Sequence, residues 1–464
     1  MISRNRKNKI IYTVICMVYC ILTVRQAFAD TEYRKETITS DDSAMLLNNP
    51  ETDPAKNPNQ LFLHHLNQHL DLYGVQFGLG WVNEIAGVVS GGKSRGATYA
   101  HQIAFALDLD WEKIAGLKGL STHMMMFNFA GRSASKHYVG DPHIQAQDVY
   151  IPHQAMLRMY NFYFEQQLWD NKVNIKVGRQ STGDDFGYSV LSCQFMMLSS
   201  CGHPRSIAQQ GFSTWPGTVW GARILYQPTS EFYVQVGAYQ SNPWPQGGKN
   251  GWDWGGKHTT GAFLPIEFGY HSDIGKDHLI GHFHVGAGFD TSRFKTWSAQ
   301  ATGSGKTDYR SEFWVMMDQM IYRNDPVENH GLYVIGNWGH DSPTTATYKD
   351  FYNLGLLNRG FWHDRPNDQM GVMFSYYTVP RGLSRAQGYQ IAQGNAPLHH
   401  GVLNLLNEAT GIQSNAMMFE LNYGISVYRG IMVMPVFEYF HHVGATRSSY
   451  KDAAVLGMRT SIIF

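Results

Sequence analysis

The chain has 464 residues, with 37 Lys and Arg against 37 Asp and Glu, so its formal net charge is zero and it lacks the basic surplus a nucleic-acid partner requires. A mean hydropathy of −0.31 excludes a conventional helical membrane protein. The 26 Tyr, 25 Phe and 12 Trp, set beside 47 Gly and only 17 Pro, suit the aromatic girdles, strand turns and lumen glycines of a transmembrane β-barrel better than a soluble α/β enzyme.

Arg4, Arg6, Lys7 and Lys9 precede an apolar run from Ile10 to Val24, and Ala27-Phe28-Ala29 forms a small-x-small cleavage site. Residues 1–29 therefore read as a secretory signal peptide, with the mature chain starting near Asp30. Cys16 and Cys20 fall inside it without the small residues of a lipoprotein site, so no lipid anchor is expected. Residues 30–60, with Pro50, Pro54 and Pro58, read as a polar periplasmic segment, and Leu61 to Leu70 as a short helix carrying Leu63, Leu66 and Leu70 on one face. From Gly74 the hydrophobic period becomes two, and residues 61–464 are assigned to one barrel domain.

Gly87 to Ser94 satisfies the phosphate-loop pattern G-x-x-x-x-G-K-[ST], and Gly92 to Gly96 matches the hydrolase pattern G-x-S-x-G. Either chemistry needs a strand before the motif and a helix after it. Both flanks here read as strands, so the segment is expected to be a glycine-rich turn.

Segments around 173–178, 220–226, 232–239, 264–271, 282–290, 369–376 and 419–424 then alternate strictly. Ile224, Val236, Ile266, Phe289, Phe374 and Leu421 fall on apolar faces, opposite faces holding Lys176, Arg223, Tyr233, Gln235, Glu267 and Glu420. Alternation alone also fits a soluble sandwich. Persistence of a polar, glycine-rich face along most of the chain favours a wide lumen. Stretches 131–152, 241–262, 338–366 and 381–413 are expected as extracellular loops. Cys193 and Cys201, eight positions apart in a loop-like stretch, should pair in an oxidising periplasm, the alternative being two free thiols. His282 with His284, His399-His400 and His441-His442 lack further ligands at matching spacing, so neither a metal nor a cofactor is called for. In the last fifteen residues Leu456, Met458, Thr460, Ile462 and Phe464 alternate with Gly457, Arg459 and Ser461, as a barrel-closing strand would. The terminal aromatic suits recognition by the barrel-assembly machinery.

The fold class is thus all-β, a transmembrane antiparallel barrel preceded by a short helical or irregular segment. Leu107-Asp-Leu-Asp110-Trp-Glu-Lys113-Ile-Ala-Gly116-Leu-Lys-Gly119, then Gly131-Arg-Ser133, resembles the N-terminal region of carbohydrate-selective porins of the OprB family. Arg158 through Glu165-Gln166, Val173 to Gly178-Arg179, Asp185-Phe186 and Cys193 continue the likeness, as do Glu438-Tyr439 and Ala453 to Thr460 with the final Phe464. Gly116-Leu117 departs from the Gly-Trp common in that family, and residues 30–60 form a longer leading tract. The resemblance implies a barrel of about sixteen strands in the outer membrane of a Gram-negative bacterium, passing glucose and other small sugars by diffusion. It also leaves room for a homo-oligomer.

A sugar is uncharged, so its selection needs hydrogen-bonding groups of both signs and aromatic faces in a narrow passage, with binding weak enough for release. Lys176, Arg223, Tyr233, Gln235, Glu267, Glu420 and Arg459 fall on the expected lumen face. The Ser181–Pro216 loop is expected to fold inward, with Arg158, Glu165, Arg179, Asp184, Asp185 and Arg205 as its charged rim; each of these could instead be a strand-end charge that holds a loop. Arg158 and Glu165 have opposite parity, and both reach the lumen only across a bulge. The rival readings are a general or ion-conducting porin, a barrel-embedded enzyme and a plugged structural barrel.

Overall fold

In the computed structural model the described residues run from 63 to 464, except 142–143, 150–154, 244–250, 326–328, 399–410 and 447–449. The signal peptide, the 30–60 tract and His399-His400 lie outside them. Sixteen strands among the described residues close into one barrel, each antiparallel to its neighbours, with β1 pairing β16. In order they are β1 Val75–Gly92, β2 Gly96–Asp110, β3 Leu120–Gly131, β4 Ala155–Leu168, β5 Val173–Gln180, β6 Val219–Tyr226, β7 Phe232–Ser241 and β8 Gly261–Ile274. The ring continues with β9 Leu279–Lys295, β10 Thr307–Arg323, β11 Gly331–His340, β12 Asp350–Arg359, β13 Gln369–Thr378, β14 Asn415–Tyr428, β15 Ile431–His441 and β16 Lys451–Ile463.

Period-two alternation puts Leu264 and Ile266 on the outer surface, 44% and 39% exposed, while Glu267 between β8 neighbours is fully enclosed. Lipid covers the first kind of residue and the lumen holds the second. Exposed aromatics gather at two levels. Trp169, Tyr226, Tyr322 and Tyr428 ring the end with short turns, and Tyr99, Trp220, Tyr309, Tyr352 and Tyr439 ring the end with long loops. In outer-membrane barrels short turns face the periplasm and long loops the exterior.

Among the described residues four α-helices decorate the ends. α1 (Leu63–Leu70) packs on the start of β1, where strand pairing to β16 begins only at Gly80. There the Asn67 carboxamide donates to the Phe77 carbonyl at 2.7 Å and accepts from the Phe77 amide at 2.9 Å, replacing an absent strand partner. α2 (Trp111–Ala115) is a single turn between β2 and β3, N-capped by Asp110 through the amides of Glu112 and Lys113 and ended by Gly116 at φ 72°. That cap explains the spacing of the Asp110 to Gly116 motif. α3 (Trp297–Thr302) and α4 (Arg381–Ala392) lie in the long β9–β10 and β13–β14 connections.

The expected loop over 338–366 is corrected: it contains β12, flanked by an outer connection of residues 341–349 and a periplasmic turn of residues 360–368. Tyr352, Leu354 and Leu356 face outward, but Phe351 and Leu357 on the inner face are apolar too and fully buried, which erased the polar contrast. The same applies to β15, whose inner Met434 and Val436 join an apolar cluster with Phe195, Met196 and Met197 of the inward loop. The lumen is therefore in part a hydrophobic core.

Candidate functional site in the lumen

The connection between β5 and β6 does not stand outside the barrel; nearly all of it is buried inside the ring. Its first turn is held by β5, β6 and β7. Asp185 Oδ1 lies 3.1 Å from Lys176 Nζ and 3.6 Å from Arg223 Nε, and its other oxygen accepts from Tyr239 OH at 2.9 Å. The Asp185 carbonyl accepts from Gln235 Nε2 at 2.6 Å. Burial alone would raise the Asp185 carboxyl, but Lys176, Arg223 and these hydrogen bonds hold it below the ordinary carboxylate range. Asp184 accepts from Tyr160 OH at 2.5 Å.

Further along, the loop crosses to other walls. Gly187 N donates to Glu267 Oε2 at 2.7 Å, and the same carboxylate takes Trp314 Nε1 at 2.6 Å, Tyr233 OH at 2.9 Å and Gln235 Nε2 at 2.8 Å. Asn337 of β11 donates to Ser192 Oγ at 3.0 Å and Asn353 of β12 to the Ser199 carbonyl at 3.2 Å. The amides of Met196 and Met197 both donate to Glu420 of β14, at 2.9 and 2.8 Å. Arg459 of β16 donates to the Phe195 carbonyl at 2.9 Å and pairs with Asp148 at 3.2 Å and Glu84 at 3.7 Å. Cys193 and Cys201 are bonded to each other within this crossing.

The return limb brings Trp215 back to β3 and β4. Its ring meets Phe127 and Phe129 edge-on at 6.1 and 5.3 Å, and the Pro216 carbonyl accepts from Arg158 Nε at 3.1 Å. A shift in the β3–β4 register, with Met125 opposite Asn161 but Met126 opposite Met159, leaves Tyr160 as the extra residue. This bulge sets Arg158 opposite Phe127 and Glu165 opposite Ser121, reconciling their parities. Glu165 accepts from Asn174, which in turn accepts from Arg223 Nη2 at 2.8 Å. On its other side Glu165 lies 3.6 Å from His123 Nε2, whose Nδ1 is 2.6 Å from Asp108. Lys176 Nζ stands 4.0 Å over the Tyr163 ring, and His123 stacks on that ring at 4.9 Å.

Two rim expectations need correction. Arg179 shares the outward parity of Ile175 and Val177, is paired with outward Trp220, and donates to the Asp253 carbonyl of the β7–β8 loop, so it braces the outside of the barrel. Arg205 lies on the loop, on a segment packed against Gly339 of β11 rather than beside the other rim residues. Glu267, Glu420 and Arg459 face inward as expected, though as clamps of the loop. Sequence reading missed Trp215, Phe127, Phe129, Asn174 and the His123–Asp108 pair. Nothing local marks them, since their partners lie on other strands or on the inward loop.

Gly87 to Ser94 forms the end of β1 and the turn into β2, and the amides of Lys93 and Ser94 donate to the carbonyls of Val139 and Tyr138. No helix follows, so neither the phosphate-loop nor the hydrolase motif has its geometry. His282 pairs with Asp318 at 2.6 Å, His284 approaches Glu267 at 3.5 Å, and His441 pairs with Asp452 at 2.7 Å.

A closed antiparallel barrel with aromatic girdles and an inward loop that narrows its lumen is an outer-membrane porin. The family model of carbohydrate-selective porins, OprB family, matches residues 94–464. The chain belongs to that family. Porin B of Pseudomonas aeruginosa is 26% identical over 418 residues, covering 84% of this chain and 88% of the relative. The high-pH structure of Pseudomonas putida OprB aligns with a TM-score of 0.78 at 25% identity, over 86% of this chain and 97% of that one. The low-pH structure of the same protein aligns at 0.56 and 19% identity, over 88% and 99%, which is a likeness of fold.

Proposed function

We propose that this porin passes small uncharged sugars of glucose size into the periplasm by diffusion, through the gap between the Ser181–Pro216 loop and the β2–β4 wall. The observation that carries the reading is the meeting of an aromatic group, Trp215 with Phe127 and Phe129, and neutralised charge groups, Lys176 and Arg223 against Asp185 and Glu165 with His123 and Asp108. Aromatic faces suit the C–H surface of a sugar, and adjacent charges of both signs suit its hydroxyls while leaving little net field for ions. An ion-conducting porin would instead separate its positive and negative walls. Here opposite charges of β5, β6 and the inward loop sit within 3.6 Å of one another.

Liposome swelling with the folded protein tests this. Glucose is expected to enter faster than a neutral amino acid or a salt of similar size, and Trp215→Ala should cut the preference for glucose by about twofold to tenfold. Equal entry of all small solutes would reduce the protein to a general porin.

A further inference from the structure

Outside the channel, at the outer end of the barrel, a cavity of about 1210 Å³ opens between α3 and α4. Its floor includes Asp350, Thr378 and Asn415, which are direct cross-strand neighbours at the tops of β12, β13 and β14. Two residues further down each strand, Tyr352, Tyr376 and Met417 occupy the same outward face, with Tyr352 43% exposed. The cavity floor therefore lies two residues above the lipid-facing positions of the outer aromatic girdle.

Four cationic side chains line it: Lys306, Lys349, Arg381 and Arg385. Its two carboxylates are already engaged. Asp350 is 3.0 Å from Lys349 and 2.8 Å from His340, and Asp308 accepts from Thr344 Oγ1 at 3.0 Å and from the Tyr309 amide. Lys306, Arg381 and Arg385 have no carboxylate partner among the described residues. Arg381 and Arg385 stand one turn apart on α4, so both guanidinium groups serve one side of the cavity. These three cations outnumber the one lining carboxylate without a cationic partner, Asp308, and two of them are guanidinium forks, which suits a phosphate group in charge and geometry. Hydroxyls of Ser298 and Thr302 and the exposed Tyr389 complete a lining suited to a sugar bearing that phosphate.

We infer that this cavity binds the phosphorylated sugar headgroup of an outer-leaflet glycolipid. A basic pocket placed at a bilayer surface gains both the headgroup contacts and the local concentration of the lipid. The site is separate from the lumen and acts on how the porin is seated in the membrane.

The test uses the purified full-length protein in micelles doped with bisphosphorylated lipid A, counting retained lipid by native mass spectrometry. The Arg381→Gln, Arg385→Gln double variant is expected to retain lipid A about tenfold less than the parent, since charge-assisted hydrogen bonds are lost. Unchanged heat-modifiable gel mobility and glucose flux would show that the variant is folded, and Lys93→Gln, at the β1–β2 turn, should retain lipid normally. Equal retention by the double variant, or equal retention of lipid A stripped of its phosphates, would overturn the proposal. So would displacement of lipid A by millimolar inorganic phosphate, which would make the cavity a soluble-anion site.

Discussion

Asp185 holds its position through opposite charge. Its carboxyl is depressed in the folded protein, so the stabilisation it supplies is complete above the ordinary carboxyl value of about 3.9 and is lost as pH falls through the lower folded value. Single-channel conductance is therefore expected to stay level from pH 7 to about 5 where Asp185 controls the loop, and to change only in stronger acid. Asp185→Asn should move that change to neutral pH. The glycines of the lumen face act through space. A Cβ on Gly286 would lie 2.1 Å from the Trp314 ring, and one on Gly269 would lie 1.9 Å from Tyr233. These rings lie flat on glycine across the strand pair, and both donate to Glu267. Gly286→Ala should therefore displace Trp314, loosen the Gly187 anchor and cost about 1–3 kcal/mol, read as a lower urea midpoint for loss of folded gel mobility. The glycine-rich face was legible as a lumen face, but its meaning was not wide empty space; it makes room for large rings.

At the level of elements, legibility followed contrast between faces. β6 to β9 and β16 could be read because Ile224, Val236, Ile266, Phe289 and Met458 oppose Arg223, Gln235, Glu267, Gly288 and Arg459. β12 and β15 could not, because inner Phe351, Leu357, Met434 and Val436 join the apolar cluster of Met196 and Met197 and blur the contrast with the outer face. The loop's anchors were invisible for a different reason. The bonds from Met196 and Met197 to Glu420 join positions 224 and 223 residues apart, and no local pattern encodes them. Glu420→Ala would leave both amides buried without a partner, at about 1–3 kcal/mol each. A larger and noisier conductance in planar bilayers is expected, with the Cys193–Cys201 bond intact. Conductance indistinguishable from the parent would mean that the remaining anchors, among them Arg459, Asn353, Asn337 and Glu267, hold the loop without Glu420.

At the scale of the whole molecule, an outer-membrane barrel of the carbohydrate-selective family carries ion pairs along one part of its lumen and a hydrophobic core along another. The closure was readable from its last strand, and Phe464 indeed completes the seam by donating its amide to the Leu79 carbonyl. How the inward loop divides the lumen was not readable, because that depends on which walls the loop meets. That loop is fastened to β5, β7, β8, β11, β12, β14 and β16. A hoop with a tie across its diameter resists being squeezed into an oval. Lateral pressure from the surrounding lipid is then carried by the tie, and the aperture keeps its shape when the bilayer around it thins, thickens or crowds.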